Sequence, residues 1–202
     1  MSDGAGGGQA TEIRVAGPER LAGVAGVLGR AFVTDPGFAW ALDGPDLEAR
    51  LIRAFELYLE RLLPLGVVWE AGDGLGAMVL ISHDRYDDWA AAVVDDSLIG
   101  DLAADGGARH VAFWTWLTAR LPDERTWQLD SIGVEKFARG RGIASALIRH
   151  GLARAVDAGY PTTLETGTPG NVPIYEHFGF RVVDDATPPN GGPHIWFMRK
   201  EP

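Results

Sequence analysis

One run in the last third of the chain, TWQLDSIGVEKFARGRGIASALIRHGL, limits the possible folds more than any other. Trp127, Leu129, Ile132 and Val134 are apolar and partly β-branched, and they close on the turn signal Glu135-Lys136, so the run opens as a buried strand. Ile143, Leu147, Gly151 and Ala155 follow at spacings of four, with Ile148 and Leu152 widening the stripe, which predicts an amphipathic helix. Between strand and helix lies Arg139-Gly140-Arg141-Gly142-Ile143-Ala144. Glycines there let the backbone turn tightly and approach a ligand with no Cβ in the way. A helix starting at that point aims unpaired N–H groups and a partial positive charge into the turn. The predicted occupant is an anion, of which a phosphate or pyrophosphate is the natural case.

Charge narrows the choice. From Glu135 to Arg154 there are five basic residues (Lys136, Arg139, Arg141, Arg149, Arg154) against one acid, while the whole chain carries −10. A positive island in an acidic protein suits a small polyanion; nucleic acid would call for a broad basic face. A solvated helix start with ordinary surface arginines is the plainer alternative. The spacing excludes a Walker A loop, since no GxxxxGK[ST] run exists. It also excludes a Rossmann fingerprint, because Gly140-x-Gly142 is followed by Ser145 where the third glycine belongs.

What remains is [QR]-x-x-G-x-[GA] after a strand ending Ile-Gly-Val, with Arg139, Gly142 and Ala144 in the fixed places. That pattern resembles the coenzyme A signature of the GNAT superfamily of N-acyltransferases. Downstream, LETGTPGNVPIYEHFGF looks like the superfamily's next block, a strand, an Asn and a helix carrying Tyr-x-x-x-Gly-Phe. Together with the terminal strand IWFMRK, the run from Trp127 to Lys200 is most similar to the puromycin N-acetyltransferase branch.

The resemblance implies an α/β (α+β) fold: a mixed, mostly antiparallel sheet with helices on both faces and a splayed central strand pair. It also implies an acetyl-CoA-dependent N-acetyltransferase acting by direct attack through a tetrahedral intermediate. The acceptor would be a primary amine of a small molecule, such as an antibiotic-like aminonucleoside. Other readings are a protein or peptide N-acetyltransferase and a non-catalytic acyl-CoA sensor. By the same resemblance the pantetheine arm pairs with the strand at Ile132, Gly133 and Val134. The pyrophosphate sits on the N–H groups from Arg139 through Gly140, Arg141, Gly142 and Ile143 to Ala144, and Ser145 can add a hydroxyl. Tyr175 holds the place of the general acid. A phenol, with a reference pKa of about 10, stays protonated at neutral pH and can donate to a leaving thiolate. Asn171 either bonds the pantetheine or caps the following helix. Asp130 and Glu165 are the two candidates for a base, each with an equally good structural reading. Gln128 falls where some relatives carry a glutamate; a carboxamide cannot take a proton, so Gln128 is expected as an acceptor contact.

The rest of the chain is organised to match. Residues 1–10 read as a flexible glycine-rich tail, and 11–202 as one domain, a fair size for a single core. A first strand at 11–16 leads into a helix opened by Pro18. VTDPGFAWAL reads as a turn with a short aromatic segment; by the resemblance this region borders the acceptor pocket, and Phe32 just before it, Phe38 and Trp40 either line that pocket or simply pack. An amphipathic helix at 46–63 is followed by a hairpin around Asp73-Gly74. The stretch 86–120 is a helical insertion, DDWAAAVVDD and then a helix with Phe113, Trp114, Trp116 and Leu117. It forms either a wall over the acceptor, with Trp116 facing it, or a dimer contact. The absence of cysteine excludes a thiolate nucleophile and a cysteine metal site. The five histidines lack metal spacing, so no metal is expected. No apolar run approaches a membrane span, and the start lacks a signal-peptide pattern. A cytoplasmic protein, monomeric or homodimeric, with no nucleic-acid or membrane partner is the expectation.

Overall fold

The computed structural model describes residues 11–93, 99–122, 124–189 and 191–202. The expected tail at 1–10 and the end of DDWAAAVVDD lie outside these. Among the described residues the strands are β1 (Ile13–Val15), β2 (Val68–Ala71), β3 (Gly76–Ile81), β4 (Trp127–Val134), β5 (Thr162–Thr166), β6 (Arg181–Ala186) and β7 (Ile195–Lys200). The helices are α1 (Leu21–Phe32), α2 (Pro36–Ala41), α3 (Leu47–Leu62), α4 (Tyr86–Val93), α5 (Ala108–Thr118), α6 (Ile143–Ala158) and α7 (Val172–His177). The strands form one sheet in the order β1-β2-β3-β4-β5-β7-β6, antiparallel throughout except between β4 and β5.

That parallel pair is joined only at Trp127–Thr162 and Gln128–Thr163. Beyond Gln128 the two strands diverge, although β4 runs on to Val134 and β5 to Thr166. The expected mixed sheet with a splayed central pair is what forms.

The two faces of the sheet carry separate cores. Leu28 of α1 and Phe55 and Leu59 of α3 pack with Val79 and Ile81 of β3 on one side. Ile143, Leu147 and Ile148 of α6 pack with Met78, Leu80, Trp127, Leu129 and Val134 on the other. Burying each such side chain contributes roughly 1.5–3 kcal/mol, which offsets the cost of ordering the long crossover. The α6 stripe is thus the one predicted from the fourfold spacing.

The apolar positions of β4, at 127, 129, 132 and 134, break strict alternation by one residue. The pairing shows why. Val79 stands opposite Ser131 and Leu80 opposite Leu129, so Asp130 is an extra residue in a β-bulge. The bulge returns Ile132 and Val134 to the α6 face and leaves Gln128, Asp130 and Gly133 toward α1 and α3. Gly133 is required there, since a Cβ would come within 2.7 Å of Ala31 Cβ on α1.

One segment read as a turn is a helix. Asp35 caps α2, its Oδ1 accepting from Gly37 N at 2.9 Å and Phe38 N at 3.0 Å, and Pro36 fits the first helical position.

Candidate active site

The divergence of β4 and β5 opens a cleft of about 410 Å³. Leu129 to Val134 without Ser131 line its β4 side and Glu165 to Thr168 its β5 side. From the turn and α6 come Arg139, Ala144 and Ile148; from α7 and the residue before it come Asn171, Ile174 and Tyr175. The far wall is aromatic, with Phe32 and Phe38 joined by Phe113, Trp114 and Leu117 of α5.

One end of the cleft suits an anion. Gly142 precedes α6 at φ 80° and no side chain caps the helix, so its first N–H groups have no side-chain partner among the described residues. Gly140, at φ 77°, and Gly142 both have open space where a Cβ would stand. Glu135, the one acid of the segment, is bound by Arg30 of α1. Lys136, Arg139 and Arg141 have no carboxylate partner among the described residues, and Arg139 Nε rests on Val134 O at 3.3 Å. Ile143 points into the core, so it offers only backbone. The donor set, backbone N–H groups with arginine and lysine beside them, fits the diphosphate of coenzyme A. The unpaired edge of β4 past Gln128 fits its amide-bearing arm.

The other end is acidic, with Asp130, Glu165 and Tyr175 half-buried along it. Glu165 is held by Gln128, whose Nε2 donates to Oε2 at 2.6 Å, and burial with the nearby charge of Asp130 pushes its carboxyl up to about 8. Asp130 accepts from Trp89 Nε1 at 3.1 Å and Ser131 Oγ at 2.8 Å, and burial raises its pKa as well. The Tyr175 phenol is raised to about 12 by burial and by the charge of Asp35. It therefore keeps its proton at any working pH.

The sequence-derived candidates divide. Tyr175, Asp130, Glu165, Asn171, Ile132, Gly133, Val134, Arg139, Ala144, Phe32 and Phe38 all line the cleft. Gly140, Arg141, Gly142, Ile143 and Ser145 form the turn and helix start beside it. Asn171 does not cap α7. Its Nδ2 lies 3.2 Å from Thr166 Oγ1, on the cleft side. Three expected acceptor contacts fall outside the lining. Gln128 is buried behind Glu165, with its Oε1 taken by Thr163 at 2.6 Å. Trp40 packs on Phe113 and beneath Arg109. Trp116 lies between Phe113, Phe197 and Arg120. The reason is helical geometry. Phe113, Leu117 and Trp114 share one side of α5, whereas Trp116 is rotated roughly 60° off that side.

Among the described residues no group of histidine and carboxylate side chains is arranged to hold a metal. No described helix is long and apolar enough to cross a membrane. His110 is buried, accepts from Trp114 Nε1 at 3.2 Å and is pushed down to about 4, so it orients the indole as a neutral ring.

Residues 67–180, more than half of the chain, match the model of the acetyltransferase (GNAT) family. The chain belongs to the GNAT family. An uncharacterized N-acetyltransferase of Schizosaccharomyces pombe is 28% identical over 136 residues, covering 62% of this chain and 55% of the relative. This GNAT chain therefore spans about half the length of that curated relative. Among solved structures, the histone acetyltransferase HPA2 and related acetyltransferase of Corynebacterium glutamicum superposes with a TM-score of 0.71 at 23% identity, over 96% of this chain and 97% of that one. A Drosophila melanogaster polyamine N-acetyltransferase that forms N-acetylagmatine gives 0.65 at 14% identity, over 95% and 100%. Arylalkylamine N-acetyltransferase 2 of Aedes aegypti gives 0.63 at 14%, over 95% and 98%. At such identities the structures bear on the fold.

Proposed function

We propose that this GNAT chain moves an acetyl group from acetyl-CoA to the primary amine of a small, cationic molecule. One observation carries the reading. A single cleft between β4 and β5 joins a basic, uncapped helix start to a half-buried set of two carboxylates and a phenol. The family's donor is acetyl-CoA. Its diphosphate would lie on the N–H groups from Arg139 to Ala144 with Ser145 beside them, and its arm along Ile132 to Val134. Asn171 would hold an amide of that arm.

At the acidic end the chain's own groups divide the proton work. Asp130 has both oxygens engaged, so Glu165 is the proton acceptor. Among the described residues Oε1 has no side-chain partner, and it belongs to a residue that lines the cleft. In its ionised form Glu165 takes a proton from the alkylammonium, and the neutral nitrogen then attacks the thioester carbon. Tyr175 donates to sulfur as the carbon–sulfur bond breaks, and its phenolate recovers the proton that the new amide nitrogen loses. A base with a pKa near the working pH is the efficient choice, since it combines availability with driving force. Phe32, Phe38, Phe113, Trp114 and Leu117 would cover the apolar part of the acceptor and exclude water.

The acceptor chemistry, a cation with an apolar body, agrees with fold neighbours that act on polyamines and arylalkylamines. It also agrees with the sequence likeness to puromycin N-acetyltransferases. A thiol-release screen with acetyl-CoA against agmatine, arylalkylamines, puromycin and a lysine-containing peptide tests the reading. Turnover with at least one small amine above the peptide is expected. Binding of acetyl-CoA without turnover on any amine would leave a carrier-binding sensor instead.

A further inference from the structure

With Glu165 as the proton acceptor, Asp130 has no task, and the bonding around the two carboxyls supplies one. Asp130 is the extra residue of the β4 bulge, and its carboxyl meets side chains from α3 and α4. It collects donors. Trp89 Nε1 lies 3.1 Å from Oδ1, Ser131 Oγ lies 2.8 Å from Oδ2, and the Tyr58 hydroxyl bonds the same carboxyl. The Trp89 N–H also points at the Tyr58 oxygen, at 2.7 Å, which leaves the Tyr58 proton free for Asp130.

Glu165 is treated differently. Its one side-chain donor is Gln128 Nε2 on Oε2. Gln128 turns its Oε1 to the Thr163 hydroxyl, which donates to it at 2.6 Å and is itself bonded to Thr126 Oγ1 at 3.1 Å. With the amide so placed Oε2 is an acceptor, and the proton on Glu165 belongs on Oε1. The groups facing Glu165 are Asp130 and Gln128 from β4, the Tyr86 phenol from α4 and the Phe197 ring from β7. Those facing Asp130 are Tyr58 from α3, Trp89 from α4 and Glu165 from β5. None is a cation. Like charges disfavour each other, so two half-buried carboxyls lining one cleft, with no cation among these groups, resist ionising together at neutral pH.

We propose that Asp130 and Glu165 form one proton-sharing pair, in which Trp89 and Tyr58 seat the negative charge on Asp130 and the proton stays on Glu165 Oε1. Such a pair is matched to a single positive charge, the alkylammonium form of the acceptor. Entry of that cation makes the second ionisation cheaper, so Glu165 gives its proton to solvent and can then take one from the ammonium, which frees the amine for attack. The 86–120 insertion then does more than roof the cleft. Trp89 on α4 is a positioning residue that decides which carboxyl keeps the proton.

The link to catalysis rests on the transferase reading, but the pair can be tested without turnover. Carbon-13 NMR of protein labelled at the Asp and Glu side-chain carboxyls follows each titration in the free protein. Glu165 should titrate near pH 8. Asp130→Asn keeps the shape and an acceptor for Trp89, and it should lower the Glu165 midpoint by about one unit or more. Trp89→Phe removes a donor from Asp130, so the Asp130 carbon should begin to titrate together with Glu165. Should either substitution prevent folding, Ser131→Ala, which also removes a donor, should move the proton the same way as Trp89→Phe. A Glu165 midpoint that ignores Asp130→Asn, or a Glu165 already ionised at pH 6, overturns the pair. If the midpoint moves while no amine is acetylated, the pair stands and the transferase reading falls. If acetylation proceeds with an unmoved midpoint, the pair alone falls.

Discussion

The two ends of the cleft are built on opposite terms. At the carrier end the chain offers backbone: an uncapped helix start, two open glycines and an unpaired strand edge, with arginine and lysine in solvent beside them. At the acceptor end it offers side chains, brought from α1, α2, α5, β4, β5 and α7 and buried until their proton affinities shift. Backbone recognition depends on a short local sequence and tolerates water. Proton transfer depends on distant residues meeting in a dry place. The first end should therefore be sensitive to salt and the second to pH.

Breaking the acceptor end costs most. Glu165→Gln preserves the bond from Gln128 but cannot take a proton, and turnover in the thiol-release assay should fall by about 10²–10⁴-fold. Acetyl-CoA affinity should stay within about twofold, because the substitution lies far from the diphosphate. In the unmodified protein kcat/KM should rise with pH and level off above about 8, the value to which burial brings Glu165. Tyr175→Phe should lower turnover by roughly tenfold or more, again with coenzyme binding nearly intact. Loss of coenzyme binding in either variant would erase the division between the two ends.

Arg139→Ala attacks the carrier end and should do the reverse. The dissociation constant for acetyl-CoA should rise by roughly threefold to tenfold at low salt, and less at high salt, where exposed charges are screened. Calorimetry at two ionic strengths reads both. A dissociation constant indifferent to the substitution and to salt would mean that the turn does not hold the diphosphate.

The same contrast explains what could be read from the sequence. The carrier end lies within one continuous run, so strand, turn and helix from Trp127 to Ala158 follow from local spacing. The acceptor end does not. Asp35 lies in a cap signal, Thr-Asp-Pro, although the segment reads as a turn and its helix is found only in the structure. Its place beside Tyr175 depends on how α1 and α2 pack over the sheet, which no local pattern encodes. The α5 helix was legible from its aromatics, but choosing Phe113 and Trp114 over Trp116 requires knowing which side of it faces the cleft. Gln128 and Asp130 share a face as alternation predicts. That one is bonded behind Glu165 and the other on a bulge tied to Trp89 follows only from tertiary contacts.

The smallest expected effect is on stability, and it isolates the burial of Glu165 from its chemistry. The folded protein keeps the Glu165 proton up to about pH 8, whereas the unfolded chain gives it up near the ordinary 4.5. Between those values the native state binds more protons, so this group's contribution is complete below about 4.5 and is lost as pH rises toward 8. Other groups blur the slope. His110, pushed down to about 4, acts in the opposite direction between there and its ordinary 6.5, and buried Asp35 and Asp130 act in the same direction as Glu165. The difference between Glu165→Gln and the unmodified protein cancels these shared terms to first order. The variant should melt at about the same temperature at pH 5 and about 3 °C or more above the unmodified protein at pH 8.5. A gap that stays constant across that range would mean that Glu165 loses its proton as easily folded as unfolded. The acidic end would then be wet, and its carboxyls would have no more call on a cation than those of the open surface.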